Sequence, residues 1–307
     1  MRRAFIRTLA QIAAEDVRVL LLTTDLGYMA LEEFRDRFPT RFLNCGAAEQ
    51  NMVGLATGLA EAGYIPFAYS IGTFAALRAF EFIRNGPVLH RLPVRIVGMG
   101  MGFEYGHAGP THHAVEDVAA LRTLPGLSIV IPADPAQAET ALRETWNAPG
   151  PVYYSLGKDD RASVPGLNGR FAVDRVQVIR EGGDIALVVM GSIAAEVAAA
   201  ADELAARGID ASVVVVSTFN PDPADDLALI LASHAQVISI EAHSISGGLA
   251  AMVATTIAFR GLPCRLRPLA VRASPDGTSG SQQDRWKKHG LDRREIVCTA
   301  QQALGKP

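Results

Sequence analysis

The sequence predicts an α/β protein of two consecutive domains, each a mostly parallel sheet with helices on both faces. Short apolar runs of strand length recur along the chain, such as VRVLLLTT at 17–24 and DIALVVMG at 184–191. Segments with helical apolar spacing separate them. Strands that alternate with helices in this way pair in parallel, with the crossover helices covering the sheet. Near the middle, GKDDRASVPGLNGRF (157–171) is polar and rich in Gly and Pro, which predicts a break between two units. The expected division is a first domain over 1–165, a linker over 166–180 and a second domain over 181–307.

In the first unit the pattern predicts helices at 3–14, 73–91, 115–121 and 132–146, with strands at 17–24, 41–44, 65–70, 94–99, 127–131 and 152–156. In the second it predicts strands at 184–191, 211–217, 236–241 and 266–270. Helices are expected there at 192–207, 224–231, 247–259 and 292–305. Each half is long enough for its own core.

Composition narrows the functional classes. The chain has 307 residues, 49% hydrophobic and 20% charged, with a formal net charge of −3. That is ordinary globular composition, with no electrostatic reason to expect nucleic acid or an anionic membrane as partner. No uncharged apolar run reaches the ~18 residues of a membrane span. MRRAFIRTLAQIAAEDV reads as an amphipathic helix and not as a signal peptide. Cys45, Cys264 and Cys298 are far apart and form no CxxC. A reduced, cytoplasmic protein is the simplest expectation, with Cys45 a small packed residue.

In sheets of this kind ligands bind beyond the carboxyl ends of the strands. The loops there are Asp25-Leu26-Gly27, 46–50, 71–74 and 100–113. None carries a Gly-rich phosphate cradle. One does carry a buried acid. In NCGAAEQNMVGLATGLAEA (44–62), Met52, Val53, Ala56, Leu59 and Ala60 define an inward helix face, and Glu49 lies on it one turn earlier. Gly54, Ala56, Gly58 and Ala60 let another backbone approach. An inward carboxylate costs desolvation unless something uses it; otherwise it serves the helix dipole from the N3 position.

Four segments in order, TTDLG (23–27), GAAEQNMVGLATGLA (46–60), YSIGTFAALRAFEFIRN (69–85) and GHAGPTHHAVEDVAALRTLPGLSIVIPADP (106–135), resemble the C-terminal half of transketolase. That half holds the pyrimidine-binding and C-terminal domains. VISIEAHSISGGLA (237–250) resembles the C-terminal domain shared with 2-oxo acid dehydrogenase β subunits. The chain lacks the GDG…N metal motif of a pyrophosphate-binding domain. It therefore resembles the separate C-terminal subunit of a split transketolase. The resemblance implies thiamine diphosphate as cofactor, with Mg2+ or Ca2+ held by a separate N-terminal pyrophosphate-binding subunit. It also implies assembly to a heterotetramer and a sugar substrate.

The same resemblance assigns site residues. Glu49 would hydrogen-bond the aminopyrimidine ring across a seam open to a second polypeptide, with its proton retained to higher pH by an apolar cleft. Phe74 would stack on that ring. Phe80 and Leu77 lie on the same wall, which is only partly kept because Leu77 stands where the family often has a second aromatic; plain core packing is the alternative for Phe80 and Phe82. Asp25 matches an aspartate near the cofactor, the alternative being a strand-end turn. His112 would face the donor sugar and move protons, and His113 is expected to start a helix. His107, Lys158 and Arg2 (or Arg3) are substrate candidates. No metal site is expected on this chain.

The departures concern the sugar. Lys158 replaces an Arg, Met29 a Ser, Gly100 or a neighbour a His, and Ala108 an acid. Lys holds phosphate only as a point charge, so the substrate is expected not to be a standard pentose or hexose phosphate. The loop from Glu241 to Gly248 is expected to be a structural turn. Two alternatives stand beside the transketolase reading. One is a β subunit of a 2-oxo acid dehydrogenase-type enzyme, and the other is a non-catalytic assembly subunit.

Overall fold

The computed structural model describes residues 1–272 and 276–306. Twelve strands are formed among them: β1 (Val19–Thr23), β2 (Phe42–Asn44), β3 (Ile65–Ile71), β4 (Arg95–Met99), β5 (Ser128–Val130), β6 (Val152–Leu156), β7 (Val176–Arg180), β8 (Ile185–Met190), β9 (Ala211–Val216), β10 (Thr218–Phe219), β11 (Gln236–Ser244) and β12 (Arg265–Val271). They make two sheets, of seven strands in the order β10-β5-β6-β4-β3-β1-β2 and of five in the order β12-β11-β8-β9-β7. Pairing is parallel except at β10, which runs antiparallel to β5, and β7, which runs antiparallel to β9. The expected fold class is the one observed.

The second sheet shows how period two sorts side chains. On β8, Ile185, Leu187 and Val189 face one core, while Ala186, Val188 and Met190 face the other. Successive strand residues point to opposite faces, so a run buried on both sides must be apolar throughout. Helices Ala194–Ala206 and Arg293–Leu304 cover the first of these faces, and Ala224–Leu231 and Leu249–Arg260 the second. The second core is continuous with that of the large sheet, where Phe5, Leu9, Val53, Phe67 and Val97 lie. The two units therefore share buried apolar surface. A polar cluster also joins them. Asp117 accepts from Tyr153 at 2.6 Å and Ser155 at 3.0 Å, and His243 of the second unit lies 3.7 Å from it.

Three expectations need correction. The stretch expected as a linker over 166–180 contains β7, whose half-buried residues pair with β9. Its own composition hid this, because an edge strand needs only one buried face. The long helix expected at 73–91 is broken into a π turn Phe74–Arg78, one α turn Phe80–Ile83 and a second π turn Arg84–Val88 that contains Pro87. Proline has no N–H to continue the ladder, and π turns re-aim side chains within a helix. The short helices Glu32–Arg37 and Gln282–Lys288 were not expected; the second is capped reciprocally by Ser281 and Asp284.

No described helix is long and apolar enough to cross a membrane.

Candidate functional site

The carboxyl ends of β1 and β3 and the residue that opens helix Glu49–Glu61 converge on one carboxylate. Glu49 is the first residue of that helix, not its third, and the cap residue Ala48 offers no side-chain bond. Its side chain turns inward and is 2% exposed. Ser70, near the end of β3, donates to Oε1 at 2.8 Å. Thr24, one residue past β1, lies 3.0 Å from the same oxygen and 3.0 Å from Ser70 Oγ. Arg78, at the end of the π turn, donates to Oε2 at 2.6 Å.

Arg78 changes what was expected of Glu49. Burial pushes the carboxyl up, but hydrogen bonds from Ser70, Arg78, the Glu49 backbone N–H and Thr24 together outweigh it, and the group sits below its ordinary range. The expectation of a proton kept to higher pH is therefore reversed in this state. The seam expected beside the carboxylate is closed by the Arg78 side chain, which is itself 42% exposed. The guanidinium Cζ lies 4.3 Å from the centroid of the Phe74 ring. A planar, hydrogen-bond-donating group thus sits between an aromatic face and a buried carboxylate.

Phe74 links this pair to the histidine loop. Its ring meets His112 edge-on, with centroids 5.1 Å apart at 70°. Thr111 Oγ1 sits 2.9 Å from His112 Nδ1 and fixes the ring. His112 also faces Tyr105 at 6.2 Å, and Lys158 Nζ stands 4.0 Å above the Tyr105 ring. Arg2 acts electrostatically on both Tyr105 and Lys158, and its own buried Nε has no partner among the described residues. Glu49, Phe74, His112 and Lys158 are thus gathered along the carboxyl-end edge of one sheet.

Other candidates lie elsewhere. Phe80 packs against the core, the alternative already foreseen for it. Leu77 is exposed on the π turn Phe74–Arg78. Asp25 is an exposed turn residue held by Asn44, whose Oδ1 accepts from the Asp25 N–H at 2.9 Å; its neighbour Thr24 reaches Glu49 instead. His107 and Ala108 are exposed on a short 3-10 turn. His113 does not start a helix. It is buried edge-on against Phe103 at 5.1 Å. Arg3 turns outward toward Asp160, and Met29 is exposed. Burial pushes the Cys45 thiol up, as for a packed residue. In the second unit, Glu241 accepts from the N–H groups of Leu249 and Ala250 at 2.7 and 2.8 Å. Its own carboxylate fills the helix N-terminus, and the loop is structural.

Thr24, Ser70, Arg78 and Tyr105 were missed from the sequence. The first two carried a signal, a hydroxyl at or just past the end of an otherwise apolar strand. Arg78 lies four residues after Phe74, a spacing that places side chains on one helix face.

A buried acid, an aromatic face and a histidine at the carboxyl ends of a parallel sheet define a ligand-binding α/β enzyme subunit. The comparisons narrow the class. Residues 1–161 match the transketolase pyrimidine-binding domain, and residues 174–296 the transketolase C-terminal domain. The chain belongs to the transketolase family. It is 30% identical to a subunit of the apulose-4-phosphate transketolase of Phocaeicola vulgatus, covering 99% of this chain and 97% of the relative. It is 32% identical to the 6-deoxy-6-sulfo-D-fructose transketolase subunit SqwH of Clostridium sp., covering 98% and 93%. A solved structure described as a split gene transketolase, inactive beta4 tetramer, superposes with a TM-score of 0.88 at 34% identity, covering 99% of this chain and 98% of that one.

Proposed function

We propose that this chain is the pyrimidine-binding subunit of a thiamine diphosphate-dependent ketol transferase, active with a separate pyrophosphate-binding subunit. The observation that carries it is the pairing of buried Glu49 with the Phe74 face. The residues fit the cofactor: the space between carboxylate and ring already accepts a flat cation that donates to Oε2 and lies over Phe74. Glu49 would hold a ring nitrogen of the aminopyrimidine and Phe74 one of its faces. When bound, the cofactor supplies the nucleophilic carbon that carries the two-carbon unit.

Thr24 and Ser70 hold Glu49 Oε1, and a ligand would take Oε2 by displacing Arg78 from it. His112 moves protons on the sugar hydroxyls, fixed by Thr111 and backed by Phe74. Lys158 and Arg2 supply positive charge near it. The diphosphate and a Mg2+ or Ca2+ ion belong to the partner subunit, and the working assembly is a heterotetramer in the cytoplasm.

The sugar is not a standard pentose phosphate. Lys158, Met29, Gly100 and Ala108 replace the usual phosphate and hydroxyl readers, and the two relatives are named for a 4-phosphate sugar and a 6-deoxy-6-sulfo sugar. Efficient transfer from xylulose 5-phosphate to ribose 5-phosphate would overturn that part.

The central test is Glu49→Gln, assayed with the partner subunit. Assembly and fold should persist while turnover falls nearly to zero. Normal turnover in that variant ends the proposal.

A further inference from the structure

We infer that Tyr105 is the residue that decides which sugars this site accepts, by standing where a side chain at position 100 would otherwise project and by holding Lys158 toward an anionic substrate group. The inference rests on the ketol-transferase reading and names the substrate class of the same site, a ketose with an anionic tail.

Gly100 is the first residue past β4, a central strand, so its α-carbon lies at the carboxyl-end edge where the site is built. A Cβ placed there would fall into Tyr105 Cδ2 and Cε2. The Cδ2–Cε2 edge of the ring therefore abuts the Gly100 backbone and fills that volume. Gly100 also has φ +85°, a conformation that side chains other than glycine's rarely adopt. The glycine and the tyrosine thus form a single solution. The wall is made by a ring delivered from the following loop instead of by a side chain on the strand.

Two neighbours give that ring a role beyond filling space. Lys158 Nζ stands 4.0 Å above it, within range of a cation–π attraction. His112 lies 6.2 Å away. Lys158 forms no ion pair with any carboxylate among the described residues; the nearby Glu104 accepts instead from the Lys158 backbone N–H and from Ser192 Oγ. The Tyr105 hydroxyl has no hydrogen-bond partner among them either. The ring thus offers a flat apolar face, an unused hydroxyl tip and a tethered ammonium, all beside the proton-moving histidine. A sugar whose reacting end meets His112 and whose charge meets Lys158 must pass along Tyr105.

The test uses the assembled two-subunit enzyme with Tyr105→Phe and Tyr105→Leu. Binding is measured by titration calorimetry and turnover by steady-state kinetics. Probes are apulose 4-phosphate, 6-deoxy-6-sulfofructose and xylulose 5-phosphate, against neutral xylulose. Tyr105→Leu should weaken binding of the best anionic probe, and raise its KM, about tenfold or more, with kcat changed far less. Binding of xylulose and of thiamine diphosphate should stay within about twofold. Tyr105→Phe should show a smaller loss, that of the hydroxyl alone. Equal losses for anionic and neutral probes, or no loss with Leu, overturn the inference. If anionic sugars bind in a Tyr105-dependent way but no ketol transfer occurs, the ketol-transferase reading fails and the inference stands.

Discussion

Arg78 donates to Glu49 Oε2 at 2.6 Å while its guanidinium lies over the Phe74 ring. This pair satisfies a carboxylate that would otherwise be buried with one oxygen unpaired, an arrangement costing about 1–3 kcal/mol. It also explains how a residue suited to a neutral, proton-donating role is ionised here. Removing Arg78 from the carboxylate takes away one of the four hydrogen bonds that lower it, against the burial that pushes it up.

Arg78→Ala should therefore destabilise the cofactor-free protein and enlarge its response to cofactor. The assembled complex should bind thiamine diphosphate about 2–5-fold more tightly, a modest gain because Arg78 is half exposed and its pair is screened. Melting temperatures with and without cofactor, together with calorimetric titration, read both effects. Weaker cofactor binding in the variant would show that Arg78 stays in contact with the bound ring.

The acid limb of stability provides a second measurement. Glu49 lies below its ordinary value of 4.5 in the folded chain, so the unfolded chain binds its proton more readily. The resulting stabilisation is complete above that ordinary value and disappears as pH falls through the folded one. Thermal midpoints of the cofactor-free protein, recorded from pH 6 downward, should fall less steeply in Glu49→Gln than in the parent. Parallel curves would remove Glu49 from the account.

His112→Ala should lower kcat about 10²–10⁴-fold, the range for a lost proton-transfer group. Cofactor affinity should change little, since Phe74 and Glu49 remain. An unchanged pH–rate profile alongside an unchanged kcat would assign His112 to packing against Phe74 alone.

Tyr153→Phe examines the junction between the units. Asp117 is buried and loses a 2.6 Å donor, so the expected cost is about 1–3 kcal/mol. Urea unfolding measures it. A change below ~0.5 kcal/mol would mean that Ser155 alone satisfies the carboxylate.

Much of the fold was legible because buried parallel strands must be apolar on both faces. β6 and helix Ala224–Leu231 fall on the residues expected for them. The edge strand β7 and the π turns were not legible, for want of a pattern of their own. An edge strand needs one buried face only, and a π turn differs from an α turn by a hydrogen bond, not by composition.

For the site, the residues themselves determined, through periodicity, that an acid would lie on an inward helix face. The aromatic at the next strand end and the histidine on the loop after β4 were singled out by the resemblance to transketolase. Only tertiary structure decided what the acid touches. Ser70 and Thr24 come from strands 46 positions apart, and Arg78 reaches Glu49 across 29. Charge state depends on such neighbours through short-range hydrogen bonds that the order of residues along a chain does not encode locally. The same holds for Tyr105, whose place against Gly100 follows from the path of a loop and not from any spacing.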